Sequence, residues 1–484
     1  MSAKAEAPSK ATRRREKEAR EITRREREQA RPKRWGYLYY MLFIICVVYI
    51  SDEVATQIGT QMQSVLAQAI FEPVFGSDMA VARMSALGSL SLIGSVVSIF
   101  YKPLSDRYGR RPFLVINTLG MGLGLIVIAA AFNIPVYILG AILIALFNPN
   151  DMQVVYILES TPARHRAKMF SVIKGVATVG VMMIPLLRKI FMGADITRWR
   201  MVYVVPSLVA AAAAAFSLFF VRETEAFNLK RLEYLRMSEE QREEEKRKKN
   251  AENAQGGFVS ALKFCLGNRQ LRWLFLGIGF LAWGTVMTMY YETTMTYGYA
   301  SRFIAEGASV EAAKISALPF VTDALFWFPV GSAVCQLMQG FFADKWGRKP
   351  TSIIVSVCSA ASYALFFFGA THNWSPWTVG FLCGAAIGSY WATLDVTGPI
   401  MCSESAPTNL RSSVLAVLPI FSFVFGVIGI GGGLLLINIL GDAYVSLVSL
   451  GVSVPGLLIG LVIIMWKVRE TKSVNLEEVT GREE

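Results

Sequence analysis

Long runs of apolar residues, separated by short polar or charged segments, form the main pattern along the chain. About 17–25 apolar residues are enough for a helix to cross the hydrocarbon core of a bilayer. Twelve runs meet this length, with approximate limits 36–60, 84–104, 112–132, 135–158, 168–190, 201–221, 272–297, 317–341, 351–371, 376–401, 412–438 and 444–466. Membrane β-barrels would instead need short alternating segments. The pattern predicts an all-α membrane protein with twelve transmembrane helices.

Three short phrases occur in both halves of the chain, each time after the corresponding span. "SDRYGRRP" at 105–112 returns as "ADKWGRKP" at 343–350, "ESTPARHR" at 159–166 returns as "ESAPTNLR" at 404–411, and "VRET" at 221–224 returns at 468–471. The offsets are 238, 245 and 247 residues. Phrases that recur in register indicate a duplicated six-helix unit, and such internal repeats are typical of secondary transporters.

Composition and charge support a membrane location. The chain is 54% hydrophobic and 17% charged, whereas soluble domains are about a quarter charged. With the N-terminus placed in the cytoplasm, about 40 of the 48 Lys and Arg residues fall on cytoplasmic segments, as the positive-inside rule requires. We therefore expect a multi-pass protein of the cell membrane with both termini cytoplasmic. The net charge of +12 then reflects topology and attraction to anionic lipid, and no nucleic-acid partner is needed to explain it.

The pattern divides the chain into five segments. These are a charged cytoplasmic N-terminal segment, a six-helix bundle, a cytoplasmic linker, a second six-helix bundle and a cytoplasmic tail, at 1–35, 36–221, 222–270, 271–466 and 467–484. The first segment alternates acidic and basic residues at helical spacing, which predicts a helix in solvent or on the membrane surface. A disordered tail is the alternative. The Glu-, Lys- and Arg-rich linker is expected to be largely helical.

The repeated motifs resemble those of a known family. The D-R/K-x-G-R-R/K motif after spans 2 and 8 resembles the signature loop of the major facilitator superfamily, and the E-S-x-P-x-x-x-R phrases and the closing "VRETKSVNLEEV" resemble its sugar-porter branch. The resemblance covers residues 36–480 and implies two pseudo-symmetric six-helix bundles, with spans 1, 4, 7 and 10 lining a central cavity. The branch's Gln pair in span 7 is absent from "FLAWGTVMTMYY", and span 4 lacks the Arg that sugar porters pair with an acid of span 1.

The repeated loops are candidates for a cytoplasmic gate. Gly109 and Gly347 suit a tight turn between antiparallel helices, because glycine adopts conformations that other residues avoid. The resemblance implies that the first Asp of the motif holds the cytoplasmic side shut by contacting span 11, within a network of paired acids and bases. The predicted gate residues are Asp106, Arg110, Glu159, Arg166, Asp344, Arg348, Glu404 and Arg411. Alternatively, the charges of these loops only determine how the protein is oriented in the membrane.

Two acids lie inside the first span, and an intramembrane carboxylate is by default a functional-site hypothesis. On a helical wheel the polar residues Asp52, Glu53, Thr56, Gln57, Thr60, Gln61, Gln63 and Ser64 separate from Val54, Ala55, Ile58, Met62, Val65 and Leu66. We expect the polar face to line the cavity, with Glu53 as the main proton-coupling group and Asp52 as the second. The alternative places this face on an extension of the helix beyond the membrane.

The other charged residues within the spans lie at two different depths in the membrane. Asp151 and Lys174 lie at similar depth on antiparallel neighbours and form a candidate ion pair. Asp395 has no evident basic partner in the sequence, so it is the next candidate for coupling or cation binding. Glu292 and Asp323 lie ~30 Å from the cytoplasmic ends of their spans, where we expect solvated roles at the rim.

Aromatic and polar residues of the cavity-lining spans are candidates for substrate binding. Aromatic faces stack on sugar rings and attract cations, although packing or a membrane-interface belt also explains them. The predicted binding residues are Thr56, Gln57, Thr60, Asn148, Trp283, Tyr290, Tyr291, Tyr390 and Trp391.

These features predict a secondary active transporter rather than an enzyme. No phosphate-binding loop, metal-ligand spacing or nucleophile triad is present, so neither an ATP-driven pump nor a metal or other cofactor is expected. Our leading hypothesis is a monomeric proton symporter for a small polar metabolite, with a sugar or polyol ahead of an organic acid. Its partners are then the substrate, protons and the lipid bilayer. The alternatives are a drug or metabolite antiporter and a nutrient sensor on the same fold.

Overall fold

The computed structural model describes residues 10–29, 35–101, 104–147, 152–161, 166–193, 195–245, 247, 258–406 and 411–471. Within these residues twelve helical spans are long and apolar enough to cross a membrane, as the sequence predicted. The first bundle comprises Gly36–Gln61, Ala80–Ser98, Arg110–Ala129, Ile134–Ile157, Val172–Met192 and Ile196–Phe220. The second comprises Arg269–Ala305, Val310–Gln339, Arg348–Thr371, Pro376–Glu404, Phe421–Leu440 and Asp442–Lys467. They are called span 1 to span 12 below.

Several spans are built from more than one helix. Span 1 is the helix Trp35–Gln61, and it is followed by Gln63–Leu66, the π-helical turn Ala67–Phe71 and Glu72–Phe75. The remaining helices of the first bundle are Ala80–Gly88, Leu92–Tyr101, Leu104–Tyr108, Arg110–Ala129, Ile134–Phe147, Met152–Ser160, Arg166–Gly180, Met183–Leu187, the π turn Arg188–Met192 and Arg200–Phe220. Those of the second are Arg269–Leu281, Thr285–Ala305, Val310–Trp346, Arg348–Thr371, Pro376–Asp395, the π turn Val396–Ile400, Met401–Glu404, Arg411–Leu440 and Val445–Lys467.

The even number of spans places both ends of the chain at one membrane surface. This surface, called the termini face, holds the start of span 1, the end of span 12 and both repeated loops. The opposite surface is called the far face. Span 7 continues to Ala305 and span 8 starts at Val310, so both extend further at the far face than predicted. Hydropathy misses such extensions because their outer turns carry polar residues.

Small residues allow the closest helix contacts. Gly380, Gly384 and Gly388 follow each other at four-residue spacing on span 10 and face span 8. An added Cβ at these positions would lie 1.8, 2.0 and 2.6 Å from backbone oxygens of span 8, so a larger residue would separate the two helices. Close backbone approach through small residues is the usual means of helix association in a bilayer, where apolar burial gives little driving force.

The charged N-terminal segment forms the helix Lys10–Gln29, which contacts the linker helix Glu225–Arg236. Arg25 is buried and its Nη1 donates to Oδ1 of Asn228 at 2.5 Å, while Arg231 pairs with Glu21 at 3.1 Å. Burial alone would raise the pKa of the Glu21 carboxyl. Hydrogen bonds from Arg231 and Arg25 lower this pKa by more, so it lies below its usual value. The predicted surface helix is therefore attached to the linker.

Candidate functional site

The polar face of span 1 divides into a buried and an accessible part. Its apolar side is buried as predicted, because Val54, Ala55, Ile58, Met62, Val65 and Leu66 all belong to one core cluster. On the polar side Glu53 and Thr60 are half-buried and Thr56 is exposed, whereas Gln61, Gln63 and Ser64 are buried. The face is thus accessible along its first turns and closed toward the far face.

Asp52 is buried and receives a hydrogen bond from span 4. Nε2 of Gln153 donates to Oδ2 of Asp52 at 2.8 Å. Gln153 lies on the helix Met152–Ser160, so the acid of span 1 meets a neutral amide in the span where sugar porters carry an Arg. The amide supplies a hydrogen bond without a permanent positive charge. Sequence reasoning missed Gln153, although a polar side chain within an apolar span was a usable signal.

The five aromatic candidates occupy two environments. Tyr290, Tyr291 and Tyr390 are buried, and the ring of Tyr291 stacks on Phe328 with centroids 4.8 Å apart. The hydroxyl of Tyr291 donates to Oε1 of Gln57 at 3.4 Å, which joins spans 7 and 1. Trp283 and Trp391 are only half-buried, so they retain accessible surface. All three tyrosines are therefore enclosed by neighbouring residues in this structure.

An ion pair joins the bundles between spans 5 and 10. Nζ of Lys174 lies 3.7 Å from Oδ2 of Asp395, and both side chains are partly exposed. The expectation that Asp395 has no basic partner was therefore wrong, because its partner lies in the other bundle and is not near it along the chain. Lys174 is engaged by this acid, and its predicted partner Asp151 lies outside the described residues.

A second ion pair joins the bundles nearer the far face. Nη1 of Arg188, in the π turn of span 5, lies 3.2 Å from Oε1 of Glu292 on span 7. Oε2 of Glu292 also accepts from the backbone N–H of Ser64 at 2.9 Å and from its hydroxyl at 2.6 Å. Arg188 donates further to the carbonyl oxygen of Gln61. The predicted solvated role of Glu292 was wrong, because neighbouring spans enclose it completely.

Further contacts between the bundles lie at the far face. The carboxylate of Asp442 accepts the backbone N–H groups of Val81 and Ala82 at 2.7 and 2.8 Å, so an acid of one bundle satisfies donors at the start of a helix in the other. Thr293 donates to Oε1 of Gln63 at 2.7 Å. Asp323 is exposed, as expected for a rim residue, and pairs with Lys189 at 3.1 Å. Together these contacts close the far face.

The repeated loops form two matching networks at the termini face. Arg110 pairs with Glu159 at 3.5 Å in the first bundle, and Arg348 pairs with Glu404 at 3.2 Å in the second. Each pair stays within its own bundle. Gly109 and Gly347, which precede the two arginines, have φ angles of 118° and 109°, a region that favours glycine.

The repeated "VRET" phrase completes each network. Glu223 accepts the backbone N–H groups of Arg110 and Arg111, as Glu470 does in the second half from Arg348 and Lys349. Thr224 donates its hydroxyl to Glu159 at 2.5 Å, and Thr471 donates to Glu404 at 2.6 Å. Burial raises the pKa of Glu223, while the backbone N–H donors oppose that shift. Sequence reasoning recorded this repeat but did not assign it to the networks.

Some predicted residues lie outside the described part of the structure. These are Asn148 and Asp151 entirely, and the side chains of Asp106, Arg166, Asp344 and Arg411. Among the described residues, no group of three His, Cys, Asp or Glu side chains could hold a metal ion.

Comparison with family models identifies the class of protein. The model of the Major Facilitator Superfamily matches residues 38–322, more than half of the chain, and the chain belongs to this superfamily. The family and the fold are those of membrane transporters, not of enzymes. The model named "Sugar (and other) transporter" matches residues 324–477, which agrees with the sugar-porter-like motifs.

Two individual relatives match at 30% and 25% sequence identity. The chain is 30% identical over 134 residues to the glucose transporter GlcP of Staphylococcus epidermidis, a match that covers 26% of this chain and 30% of that protein. It is 25% identical over 398 residues to YwtG of Bacillus subtilis, described as a metabolite transport protein, covering 78% of this chain and 81% of that protein.

Solved structures share the fold. The inward open conformation of the xylose transporter XylE from E. coli superposes with a TM-score of 0.60 at 16% identity, over 92% of this chain and 99% of that chain. The nucleoside transporter NupG also gives 0.60, at 13% identity, over 87% and 99%. The fold that the resemblance implied is thereby confirmed.

Proposed function

We propose that this protein is a proton symporter that carries a small polar metabolite, with a sugar or polyol favoured, across the cell membrane by alternating access. The observation that carries the proposal is the environment of Asp52. Its carboxylate is buried on the polar face of span 1 and accepts a hydrogen bond from the neutral amide of Gln153 at 2.8 Å. Loss or gain of a proton then changes the charge of the cavity wall, and this change biases the balance between inward and outward states.

Three carboxylates are proposed to share the coupling. Glu53 is the main group, because it is half-buried on the accessible part of the polar face. Asp52 is the second group, and Asp395 is the third because it joins the bundles through Lys174 at 3.7 Å. Protonation of Asp395 would remove the attraction in that pair and release one contact between the bundles.

The pairing of Lys174 and Arg188 with carboxylates favours a neutral substrate. Lys174 and Arg188 are each paired with a carboxylate, so neither offers a full charge to an organic acid. Trp283 and Trp391 keep accessible aromatic surface, and Nε1 of Trp283 has no hydrogen-bond partner in the described structure. A buried donor without a partner suits a polar ligand or an ordered water molecule. The glucose and xylose carriers among the similar proteins support the same substrate class.

The termini face is proposed to be cytoplasmic, because most Lys and Arg residues lie on that side. The two networks around Arg110 and Arg348 would then form the cytoplasmic gate. Each described pair lies within its own bundle, so the pairs fix the shapes of the individual bundles. The contact between the bundles would be made by Asp106 of the signature loop. Asp106→Asn is expected to reduce flux without affecting folding.

Uptake into proteoliposomes tests the proposal directly. Purified protein is reconstituted, a pH gradient is imposed, and accumulation of labelled sugars, polyols and organic acids is compared with exchange in the absence of a gradient. Glu53→Gln is expected to abolish proton-driven accumulation while exchange continues, and Asp52→Asn to have a smaller effect. Glu306→Gln is the matched control, because this exposed acid at the far face pairs with Arg302, four residues earlier in the chain, and not with the other bundle.

Three outcomes would reject different parts of the proposal. Accumulation by Glu53→Gln that still responds to pH would reject Glu53 and direct attention to Asp395. Absence of flux with every substrate, combined with specific ligand binding, would favour a sensor. Uptake of organic acids alone would overturn the neutral substrate class.

A further inference from the structure

A small basic cavity lies at the termini face. It has a volume of about 330 Å³ and forms where spans 1 and 3 begin and span 6 ends. Its lining includes Tyr37 and Tyr40 of span 1, Arg111 of span 3, and Phe220 and Arg222 after span 6. All three span ends belong to the termini face, so the cavity opens at the depth of lipid headgroups.

Two arginines give the cavity its charge. The guanidinium of Arg222 lies over the ring of Tyr37, 4.5 Å from its centroid, while the tyrosine hydroxyl accepts the backbone N–H of Arg222 at 2.8 Å. Arg111 donates to the carbonyl oxygen of Leu218, and its buried Nε has no partner in the described structure. No carboxylate among the described residues forms an ion pair with either guanidinium. Glu28 is the single acid of the lining.

An exposed aromatic surface adjoins the arginines. Phe219 is 74% exposed, and Phe220 and Tyr40 form an edge-to-face pair with centroids 6.0 Å apart. Phe216, one turn earlier on span 6, stacks on Phe220 at 5.9 Å and is also exposed. Aromatic side chains at this depth contact acyl chains and headgroups together. The cavity therefore combines a cationic end with an apolar flank.

We propose that this cavity binds the phosphate of an anionic phospholipid, with Arg111 and Arg222 as its ligands and the aromatic surface along its acyl chains. A guanidinium matches phosphate oxygens with two parallel N–H donors, and Arg is well suited to such a site. The orphan Nε of Arg111 supplies a donor that lacks a partner in the described structure. A soluble phosphate would use the same donors but would leave the exposed aromatic surface unoccupied.

The second bundle provides a matched control. Gln270 takes the place of Tyr37, because its Oε1 accepts the backbone N–H of Arg469 at 2.9 Å. Lys349 and Arg469 occupy the positions that correspond to Arg111 and Arg222 in the repeated phrases. Removing these two charges alters the net charge of the termini face equally but leaves the proposed cavity intact.

Native mass spectrometry of the purified full chain tests the proposal. The protein is titrated with phosphatidylglycerol, phosphatidylcholine or glycerol 1-phosphate, and the bound fraction is measured. We expect one phosphatidylglycerol per chain at concentrations where phosphatidylcholine does not bind. Arg111→Gln/Arg222→Gln should weaken this binding about tenfold or more, and Lys349→Gln/Arg469→Gln should leave it unchanged.

The alternatives lead to different results. Equal loss of binding in both double variants, or no loss in either, would overturn the site in favour of general surface attraction. Binding of glycerol 1-phosphate at the same concentrations would assign the cavity to soluble phosphates and overturn the lipid. Because Arg111 also holds the Leu218 carbonyl, the single variant Arg222→Gln is measured as well, and unchanged binding in that folded variant would equally reject the proposal.

Discussion

Span 5 joins the second bundle through three described ion pairs, and two of them, Arg188–Glu292 and Lys174–Asp395, lie in different surroundings. Toward the far face, Arg188 and Glu292 are 3.2 Å apart with side chains 1% and 0% exposed. Fourteen residues earlier on the same span, Lys174 and Asp395 are 3.7 Å apart with side chains 32% and 51% exposed. The buried pair is further supported by Ser64 and by the carbonyl oxygen of Gln61. Of these two pairs, only Lys174–Asp395 has accessible side-chain surface.

This difference shows which contact between the bundles can be broken at low cost. Exposed pairs are worth only ~0–1 kcal/mol, because water solvates the separated charges. Separating a buried pair leaves two charges without solvent, and loss of one partner commonly costs about 3–5 kcal/mol. The buried pair is therefore the more costly of the two to open, and Lys174–Asp395 is the less costly.

The largest effect is expected from breaking the buried pair. Glu292→Ala leaves the guanidinium of Arg188 buried without its carboxylate, so the free energy of unfolding should fall by about 3–5 kcal/mol. The measurement is thermal unfolding of the purified protein, together with its monodisperse yield. An unchanged unfolding temperature would contradict the assigned burial.

An apolar replacement of both partners is the matched control. Nε and Nη2 of Arg188 have no hydrogen-bond partner in the described structure, so the buried pair is incompletely satisfied. Arg188→Met/Glu292→Leu removes both charges and should recover most of the stability lost in Glu292→Ala. Equal destabilisation of the single and double variants would show that packing, not charge, accounts for the loss.

The sequence predicted the parts of the molecule that depend on local pattern or repetition. Hydropathy located the twelve spans, and the repeated phrases singled out Arg110, Glu159, Arg348 and Glu404. The structure shows which of these residues pair, and the two pairs are equivalent by duplication. The contacts between bundles were not predictable. Arg188 and Glu292 are 104 residues apart, and only the packing of two bundles brings them together. Depth counted along a single span cannot show which neighbours enclose a residue, so Glu292 was misplaced at the rim.

An intermediate effect is expected from the support of the buried pair. Ser64→Ala removes a hydroxyl that donates to Glu292 at 2.6 Å but keeps the backbone N–H bond at 2.9 Å. Hydrogen bonds to charged groups contribute ~1.5–3 kcal/mol, so the loss should lie below that of Glu292→Ala. Ser89→Ala is the matched control, because that exposed hydroxyl bonds only its own helix. A loss in Ser64→Ala no larger than in Ser89→Ala would argue against the support role.

The smallest effect on stability is expected from the exposed pair. Asp395→Asn preserves the shape of the side chain and removes its charge, and Lys174→Gln does the same for its partner. Each variant should change the free energy of unfolding by less than about 1 kcal/mol, because water solvates the remaining charge. If Asp395 shares in proton coupling, Asp395→Asn should nevertheless lower pH-driven accumulation. A destabilisation as large as that of Glu292→Ala would mean that the two ion pairs are energetically alike, and the contrast between the two regions of span 5 would be lost.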